Sequence, residues 1–286
     1  MKTTLSHFQI DNILISALKE DINSEDYSTN AIFTDGQLAK VELIAKEDGI
    51  LAGLDVFKRV FSLYDDQISF NIPTYLEDGY AFSKGEVLLE VVGNIRSLLS
   101  CERVALNFMQ RMSGVATLTK AYVEALNDPK IKVFDTRKTT PNLRLFEKYA
   151  VRVGGGYNHR YNLSDGILLK DNHIDAVGSV KGAVEKAKAY APFVKLIEIE
   201  VESLDEVKEA VEAGADIIML DNMDVDLIKQ ATELIGDQAV IEVSGNVSLN
   251  NIANYRGLNI DYISSGSLTH NYRSIDLSMK NLTYLD

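Results

Sequence analysis

The stretch DTRKTTPNLR, at residues 135–144, carries the residue types of an anion-binding site. Arg137 and Lys138 are adjacent there, in a chain whose net charge is −13. They directly follow an apolar run that predicts a strand, so both would be partly buried and would need an anion as partner. Arginine presents a planar fork that fits carboxylate or phosphate, and lysine adds a point charge. Together with the flanking threonine hydroxyls, these cations predict that the stretch binds an anionic ligand.

Two further stretches add cations to the predicted site. GGGYNHR, at residues 154–160, joins a glycine triplet to His159 and Arg160, but it matches neither the Walker A nor the dinucleotide-binding pattern. ILLKDNH places Lys170 at the end of another apolar run. A lysine in that position could instead form a Schiff base with a carbonyl substrate, as in aldolases. The number of cations favours a ligand with several anionic groups, while the residues alone leave the aldolase alternative open.

Acidic residues and glycines follow later apolar runs. Glu200 and Asp221 close consecutive predicted strands, where they could hold Mg²⁺ through water, bind the hydroxyls of a ribose or stabilise a cationic transition state. SGN, at residues 244–246, comes before a helix expected to begin near Ser248, so its amides could bind phosphate. Gly266 could do the same after the next run. These residues predict a site for a phosphorylated sugar beside the cations.

A repeat of apolar runs and amphipathic segments would position these side chains. Six runs are recognisable from residue 131 onward, and the later ones begin 20 to 23 residues apart, as expected for parallel strands joined by helices. In a β/α barrel, the active site lies at the carboxyl ends of such strands. An incomplete α/β barrel is therefore the preferred architecture, and an open doubly wound sheet is the alternative. The residues predicted at strand ends are Asp135, Lys170, Glu200, Asp221, Ser244 with Gly245, and Gly266.

The preceding part of the chain predicts a separate α+β region. Apolar residues within 8–18 recur at helical spacing, and residues 41–45 alternate between apolar and polar, as in a half-buried strand. Glycines then separate short apolar runs, a pattern that predicts antiparallel strands with turns between them. A long helix is expected from about Ser97.

Three other cations have a simpler interpretation. Arg144, Lys148 and Arg152 recur every four residues. That spacing puts them on one face of a helix, and exposed charges on such a face are common. We therefore predict a solvated helix face for these three residues, and no role in the site.

Composition predicts a soluble globular protein. The chain has 286 residues, of which 46% are hydrophobic and 25% are charged. Its acidity disfavours binding to nucleic acid or to anionic membranes, because their phosphate groups would be repelled. A single cysteine, a charged amino terminus and the lack of a long apolar run predict a cytoplasmic protein. The four histidines lack the spacing of metal ligands.

Taken together, the motifs resemble those of the quinolinate phosphoribosyltransferase family. The matching stretches are DTRKTTPNLR, GGGYNHR, LSDGILLKDNH, IEIEVESLDE, MLDN, VSGN and SSGSLTH, with AKEDGILAGL and ERVALNFMQRMSGVATLT upstream. They cover nearly the whole chain in order, and the combination is highly specific. One departure is EDINSEDYST, at residues 20–29, where family members usually have a glycine near Glu25.

The resemblance implies a fold and an activity. Residues 1–112 would form an open α/β sandwich domain, packed with a C-terminal tail from near residue 270 to residue 286, and residues 113–269 would form an incomplete, about seven-stranded α/β barrel. The enzyme would join quinolinate to phosphoribosyl pyrophosphate (PRPP) with Mg²⁺, giving nicotinate mononucleotide, pyrophosphate and CO₂ for NAD biosynthesis. It would be a homodimer in which the sandwich of one subunit covers the barrel mouth of the other, with any higher assembly left open.

The resemblance also implies residue roles. Lys138, Glu200 and Asp221 would be catalytic, and the two acids would hold Mg²⁺ directly or through water. Quinolinate would be bound by Arg137, His159, Arg160 and Lys170, with Arg103 reaching over from the partner subunit. PRPP would contact Lys138, Glu200, Asp221, Ser244, Gly245, Asn246, Ser265 and Gly266.

Other functions remain compatible with parts of the pattern. A paralogue of the same fold occurs in molybdenum-transport operons with a different substrate, and a nicotinate-using relative would need fewer carboxylate-binding cations. A non-catalytic metabolite sensor would have little use for Glu200 and Asp221. The intact GGGYNHR and LLKDNH favour the biosynthetic enzyme over these alternatives and over a Schiff-base aldolase using Lys170.

Overall fold

The computed structural model describes residues 4–285, which belong to two compact units. The first unit contains the residues up to Lys120, Thr140–Gly155 and the residues from Tyr272 onward. The second contains Ala121–Thr139 and Gly156–Asn271. Within residues 4–285, none of the helices combines the length and the apolar character that crossing a membrane requires.

The described residues form strands and helices in a mixed order. The strands are β1 (Leu38–Ala45), β2 (Gly49–Ile50), β3 (Ser69–Asn71), β4 (Ala81–Phe82), β5 (Val87–Asn94), β6 (Lys132–Phe134), β7 (Ile167–Leu169), β8 (Ile197–Val201), β9 (Ile217–Asp221), β10 (Val240–Ser244), β11 (Tyr262–Ser264) and β12 (Leu277–Tyr284). The helices are α1 (His7–Ile22), α2 (Tyr27–Ile32), α3 (Leu54–Tyr64), α4 (Ile95–Leu126), α5 (Arg144–Val153), α6 (Asp171–Val177), α7 (Val180–Tyr190), α8 (Leu204–Ala213), α9 (Val225–Ile235), α10 (Ser267–His270) and a 3₁₀ helix at Ile252–Tyr255.

The first unit is built on an antiparallel sheet in the order β12–β1–β5–β3, with β2 and β4 paired separately. The alternation predicted for residues 41–45 is present in β1, where every second side chain is buried. Helix α1 buries one apolar face, as predicted, and its Asp11 accepts two bonds of 2.9 and 2.7 Å from Arg59 of α3. The last strand in the chain, β12, pairs with the first, β1.

The second unit is a six-stranded parallel sheet in the order β6–β11–β10–β9–β8–β7, and all six predicted strands are present. From β7 to β11, each strand pairs with the next one along the chain. The first strand of the unit, β6, pairs with the last, β11. A doubly wound sheet would instead reverse its direction at a switch point. Within residues 4–285, β6 and β7 do not pair, and the free edge of β6 has one isolated bridge, from Phe134 to Tyr157. The incomplete α/β barrel is therefore confirmed, with six paired strands among residues 4–285 where about seven were expected.

Local sequence signals explain where the helices after β8 and β9 begin and end. The Ser203 hydroxyl accepts from the Glu206 amide, and the Glu206 carboxylate accepts from the Ser203 amide, which makes a capping box for α8. Gly214 ends the same helix in the left-handed region, at φ 67°. Asp224 caps α9 through the Leu227 amide at 2.8 Å. These caps set the points at which the chain leaves the ends of β8 and β9.

The helix expected to begin near Ser248 does not form there. Residues 249–251 make a turn, and only the short 3₁₀ helix follows. Asn251 accepts from the Ser248 amide at 2.8 Å and donates to the Asn246 carbonyl at 3.0 Å. Asparagine side chains compete with helices for backbone groups in this way. The argument for phosphate binding at a helix N-terminus therefore does not apply to SGN.

The solvated helix face predicted for Arg144, Lys148 and Arg152 is also wrong. All three lie on α5, but Lys148 is fully buried, and the two arginines are only half-exposed. The adjacent Glu147 is fully buried as well and accepts from Arg111 at 2.7 Å. A four-residue spacing puts side chains on one face of a helix. Packing within the unit then decides whether that face meets water.

Candidate active site

A cleft at the carboxyl ends of the parallel strands brings most of the predicted residues together. Its volume is about 480 Å³, a size suited to small-molecule ligands. It combines four Lys or Arg side chains with three acids, one of which, Glu242, was not predicted. The predicted residues that line it are Arg137, Lys138, His159, Arg160, Lys170, Glu200, Asp221, Ser244, Gly245 and Asn246.

Three predicted residues have other surroundings. Ser265 is buried, and its hydroxyl donates to the Val247 carbonyl at 2.9 Å. Gly266 lies against Lys138, since a Cβ added to this glycine would be 2.8 Å from the Lys138 Cδ. Gly266 thus leaves room for the lysine side chain. Arg103 belongs to the first unit, where it is exposed on α4.

Two arginines of the cleft repel each other. The Nη1 of Arg160 donates to the Gly166 carbonyl at 2.9 Å. Burial lowers the pKa of Arg160, and the charge of Arg137 lowers it further. Guanidinium groups nevertheless stay protonated at physiological pH, so both positive charges persist. A bound dianion would relieve the repulsion, which makes this part of the cleft suitable for a ligand with two carboxylates.

Buried Asp135 positions the GGGYNHR loop. It follows β6 directly and accepts from the Asn158 side chain at 2.6 Å and from the His159 amide at 2.9 Å. The Nδ1 of His159 accepts from the Arg160 amide at 2.8 Å, and its Nε2 lies 3.1 Å from a carboxylate oxygen of Glu198. Hydrogen bonds to an ionised carboxylate are stronger than those between neutral groups. The contacts of Asp135 and Glu198 hold the loop that carries His159 and Arg160, two of the predicted ligand-binding residues.

Lys170 and Glu200 form an ion pair across the neighbouring strands β7 and β8. Lys170 follows β7 with 45% of its side chain exposed, whereas Glu200, near the end of β8, is mostly buried. The pair joins a residue predicted to bind quinolinate to one predicted to bind PRPP. An ion pair this accessible to water contributes about 1 kcal/mol or less, so a charged ligand can open it at little cost.

A chain of asparagines orients Asp221 at the end of β9. Asn222 donates to the Asp221 carboxylate at 2.5 Å, and Asn246 donates to the Asn222 side-chain carbonyl at 2.8 Å. The backbone of each asparagine lies in the left-handed region, a conformation that asparagine tolerates well. At Gly245, an added Cβ would lie 2.3 Å from the Asn222 Oδ1. Asn222 was missed, although MLDN and VSGN each place an asparagine at this point.

Glu200 and Asp221 are the predicted residues that could hold Mg²⁺. Magnesium prefers oxygen ligands, keeps several waters and is usually bound by one or two carboxylates together with substrate phosphates. The two acids lie on adjacent strands and line the same cleft. This donor set fits a Mg²⁺ ion that arrives with a diphosphate ligand.

Two buried acids inside the barrel were also missed. Glu198 of β8 and Glu242 of β10 are 4% and 1% exposed. Both lie in runs, IEIEV and VIEV, that alternate acids with apolar residues, and this alternation could have revealed a polar inner face. Burial and the nearby charge of Glu198 raise the pKa of Glu242 to about 7. At neutral pH Glu242 is therefore often protonated.

Glu242→Gln is expected to stabilise the folded protein above pH 7. Because folding raises the pKa of this carboxyl from 4.5 to about 7, its contribution to stability is fully present below pH 4.5 and is lost as pH rises through 7. In urea denaturation, the gain in unfolding free energy of the variant over wild type should be larger at pH 8 than at pH 5. Glu202→Gln, at an exposed position, is the control, and an equal gain at both pH values would contradict the assignment.

Comparisons with known proteins identify the family. The chain matches the family models for the N-terminal domain of quinolinate phosphoribosyl transferase over residues 26–113 and for its C-terminal domain over residues 115–280. A Bacillus subtilis protein, named as a probable carboxylating nicotinate-nucleotide pyrophosphorylase, is 44% identical over 96% of this chain and 94% of its own length. The Mycobacterium leprae carboxylating nicotinate-nucleotide pyrophosphorylase is 39% identical over 92% of this chain and 94% of its own.

Solved structures agree. NadC from Streptococcus pyogenes is 63% identical, with a TM-score of 0.97 over 99% of this chain and 100% of that one. The nicotinate-nucleotide pyrophosphorylase from Francisella tularensis is 36% identical, with a TM-score of 0.91 over 98% of both chains. These matches support the phosphoribosyltransferase interpretation over the molybdenum-operon paralogue and the aldolase. The chain therefore belongs to the quinolinate phosphoribosyltransferase family of enzymes.

Proposed function

We propose that the chain joins quinolinate to PRPP in the barrel cleft, releasing pyrophosphate and CO₂ and forming nicotinate mononucleotide for NAD biosynthesis. The observation that carries this proposal is the meeting of two mutually repelling arginines with two strand-end acids in one cleft. Arginines suit a dicarboxylate, and the acids suit a cationic ribose. The relatives named as carboxylating nicotinate-nucleotide pyrophosphorylases support the same reaction.

Quinolinate would bind at the cationic part of the cleft. Arg137 and Arg160 would hold its carboxylates, and Lys170 would leave its ion pair with Glu200 to join them. Fixing both carboxylates directs the pyridine nitrogen at the anomeric carbon of PRPP. Bringing two polyanions together is the main obstacle to this reaction, and positioning by cations lowers it.

Lys138 would stabilise the departing pyrophosphate. Its backbone is held because its carbonyl accepts from the Thr269 hydroxyl at 2.8 Å, and its side chain lies against Gly266. The left-handed turn at Gly245 and Asn246 would present backbone amides to the phosphates of PRPP. When Mg²⁺ is bound with PRPP, it supplies positive charge to the same leaving group.

Glu200 and Asp221 would stabilise the positive charge that develops on the ribose as the pyrophosphate leaves. The Asn222 and Asn246 side chains keep the Asp221 carboxylate in place for this role. After the new bond forms, the ring nitrogen is quaternary. The bond to the 2-carboxylate then breaks, CO₂ leaves, and the electron pair stays on C2 until that carbon takes up a proton. This sequence needs no covalent nucleophile.

The active enzyme would be a cytoplasmic homodimer with shared sites, acting on small molecules and not on nucleic acid or membranes. Arg103, exposed on α4, would enter the cleft of the partner subunit and contact quinolinate there. The acidic charge of the chain and its single, buried cysteine are consistent with this setting.

Incubation with PRPP, Mg²⁺ and either quinolinate or nicotinate tests the proposed reaction. We expect nicotinate mononucleotide from quinolinate only, with one CO₂ released for each nucleotide formed. Quinolinate labelled at the 2-carboxylate makes the release directly measurable, and a reaction without PRPP is the control for spontaneous decarboxylation. Equal turnover of nicotinate would overturn the assignment of the cationic cluster to a dicarboxylate.

A further inference from the structure

A buried acidic pair lies one layer of side chains inside the barrel from the cleft. Alternate residues of a strand point to the same side, so Glu198 and Glu242 face the same interior as Glu200 and Ser244. Ligand atoms of Glu198, Glu242 and His159 all lie within 4.8 Å of one another. Glu242 and His159 line the cleft, and all three residues also line a second cavity of about 320 Å³.

The backbone decides which nitrogen of His159 carries a proton. The Arg160 amide donates to the Nδ1 at 2.8 Å, so the Nδ1 is an acceptor and bears no hydrogen. The proton of the neutral imidazole is therefore on Nε2. It is directed at Glu198, whose two carboxylate oxygens lie 3.1 and 3.3 Å away. Because this Nε2 is a donor, the three groups do not form a metal site.

Three residues are thereby connected in series. Glu198 accepts from His159, and the His159 ring accepts from the Arg160 amide. At the far end, the Arg160 guanidinium donates to the Gly166 carbonyl at 2.9 Å. The backbone of Arg160 is thus fixed by the ring, and the ring is fixed by a carboxylate that is 4% exposed. A shift of the ring would move the base of the Arg160 side chain.

We propose that Glu198 is a positioning residue for quinolinate binding, which accepts from the Nε2 of His159, fixes the orientation of the ring and through it fixes Arg160. Since the Arg160 amide occupies the Nδ1, His159 is not one of the cations that offset the charge of the ligand. This inference rests on the proposed function, because quinolinate is the ligand that Arg160 would bind. Glu198 itself lies one layer away from the strand-end acids and acts through its neighbours.

Kinetics of two Glu198 variants test the proposal. Glu198→Leu keeps the size of the side chain but removes the acceptor, and it should raise the KM for quinolinate at least 10-fold while leaving the KM for PRPP unchanged. Glu198→Gln keeps an amide oxygen that can accept from the Nε2, so it should restore most of the affinity. Glu202→Leu, at an exposed position of the same segment, is the matched control and should behave as wild type.

Nitrogen-15 NMR of the imidazoles provides a readout that does not depend on activity. In the intact protein without substrates, His159 should be neutral with its proton on Nε2 at pH 7. His159→Asn serves to assign its signals among the four histidines. Both Glu198→Leu and Glu198→Gln should keep this tautomer, because the Arg160 amide still donates to the Nδ1, but only Glu198→Leu should lose the hydrogen bond of the Nε2 proton and shift its signal. A cationic His159 at pH 7, or a proton on Nδ1, would overturn the proposal.

The two measurements separate this inference from the proposed function. If wild type does not turn over quinolinate, the proposed function fails, and the NMR result still tests the role of Glu198. If wild type is active and Glu198→Leu changes neither KM, or both equally, the positioning role is refuted. If Glu198→Leu does not fold, the protonation of His159 in wild type and in Glu198→Gln still tests the positioning role of Glu198.

Discussion

Arg137→Ala is expected to raise the KM for quinolinate by about 100-fold, equivalent to about 3 kcal/mol, because two charge-assisted bonds to a carboxylate are lost. The KM for PRPP should change little, since Lys138 and the strand-end acids remain. Arg137→Lys keeps the charge but loses the planar fork, so its KM should lie between those of wild type and the alanine variant.

Steady-state kinetics with each substrate varied in turn, together with calorimetric titration of quinolinate, measure the effect of Arg137→Ala. Lys130→Ala is a suitable control, because this lysine is exposed in the segment before β6. Its kinetics should match those of wild type. Unchanged quinolinate affinity in Arg137→Ala would rule out a direct contact between Arg137 and the ligand.

Mixed subunits carrying Arg103→Ala and Lys170→Ala are expected to recover about a quarter of wild-type activity, although each variant alone is inactive. If one subunit supplies Arg103 to the cleft of the other, then a heterodimer has one intact site and one doubly defective site. Random reassortment makes half of the dimers heterodimers, which leaves one site in four intact. Co-expression with two different affinity tags allows the heterodimer itself to be isolated and assayed.

The matched control for this experiment is the mixture of Arg137→Ala with Lys170→Ala. Both residues line the cleft of a single chain, so neither site of the heterodimer would be intact, and mixing should add no activity beyond that of the Arg137→Ala sites alone. Equal recovery in the two mixtures, or none in purified Arg103/Lys170 heterodimers, would mean that the site is not shared between subunits.

Much of the barrel was predictable because its strands are short, apolar and regularly spaced. All six apolar runs form β6 to β11, and the polar residues that follow them line one cleft, as parallel strands require. The sequence does not specify the order of the strands. The pairing of β6 with β11, between segments more than a hundred residues apart, excludes a doubly wound sheet.

Where prediction failed, the cause was packing or a competing hydrogen bond. Lys148 has the spacing of a surface cation, yet it is fully buried, because α5 turns that face inward. A helix was expected after SGN, but Asn251 takes the backbone groups that would begin it. Glu198 and Glu242 were not predicted, because an acid inside a strand is expected to face outward until the curvature of the sheet is known.

The sequence by itself determined the family, the positions of the strands and most of the residues around the cleft, since motif order and apolar spacing are local properties. Only the tertiary structure decided how those residues are paired and protonated. His159 meets Glu198 across 39 residues of chain, and Asn246 meets Asn222 across 24. Partners so far apart are brought within hydrogen-bonding distance by the pairing of the strands and the curvature of the sheet. The protonation state of a buried group follows from those partners and from burial, which no local pattern specifies.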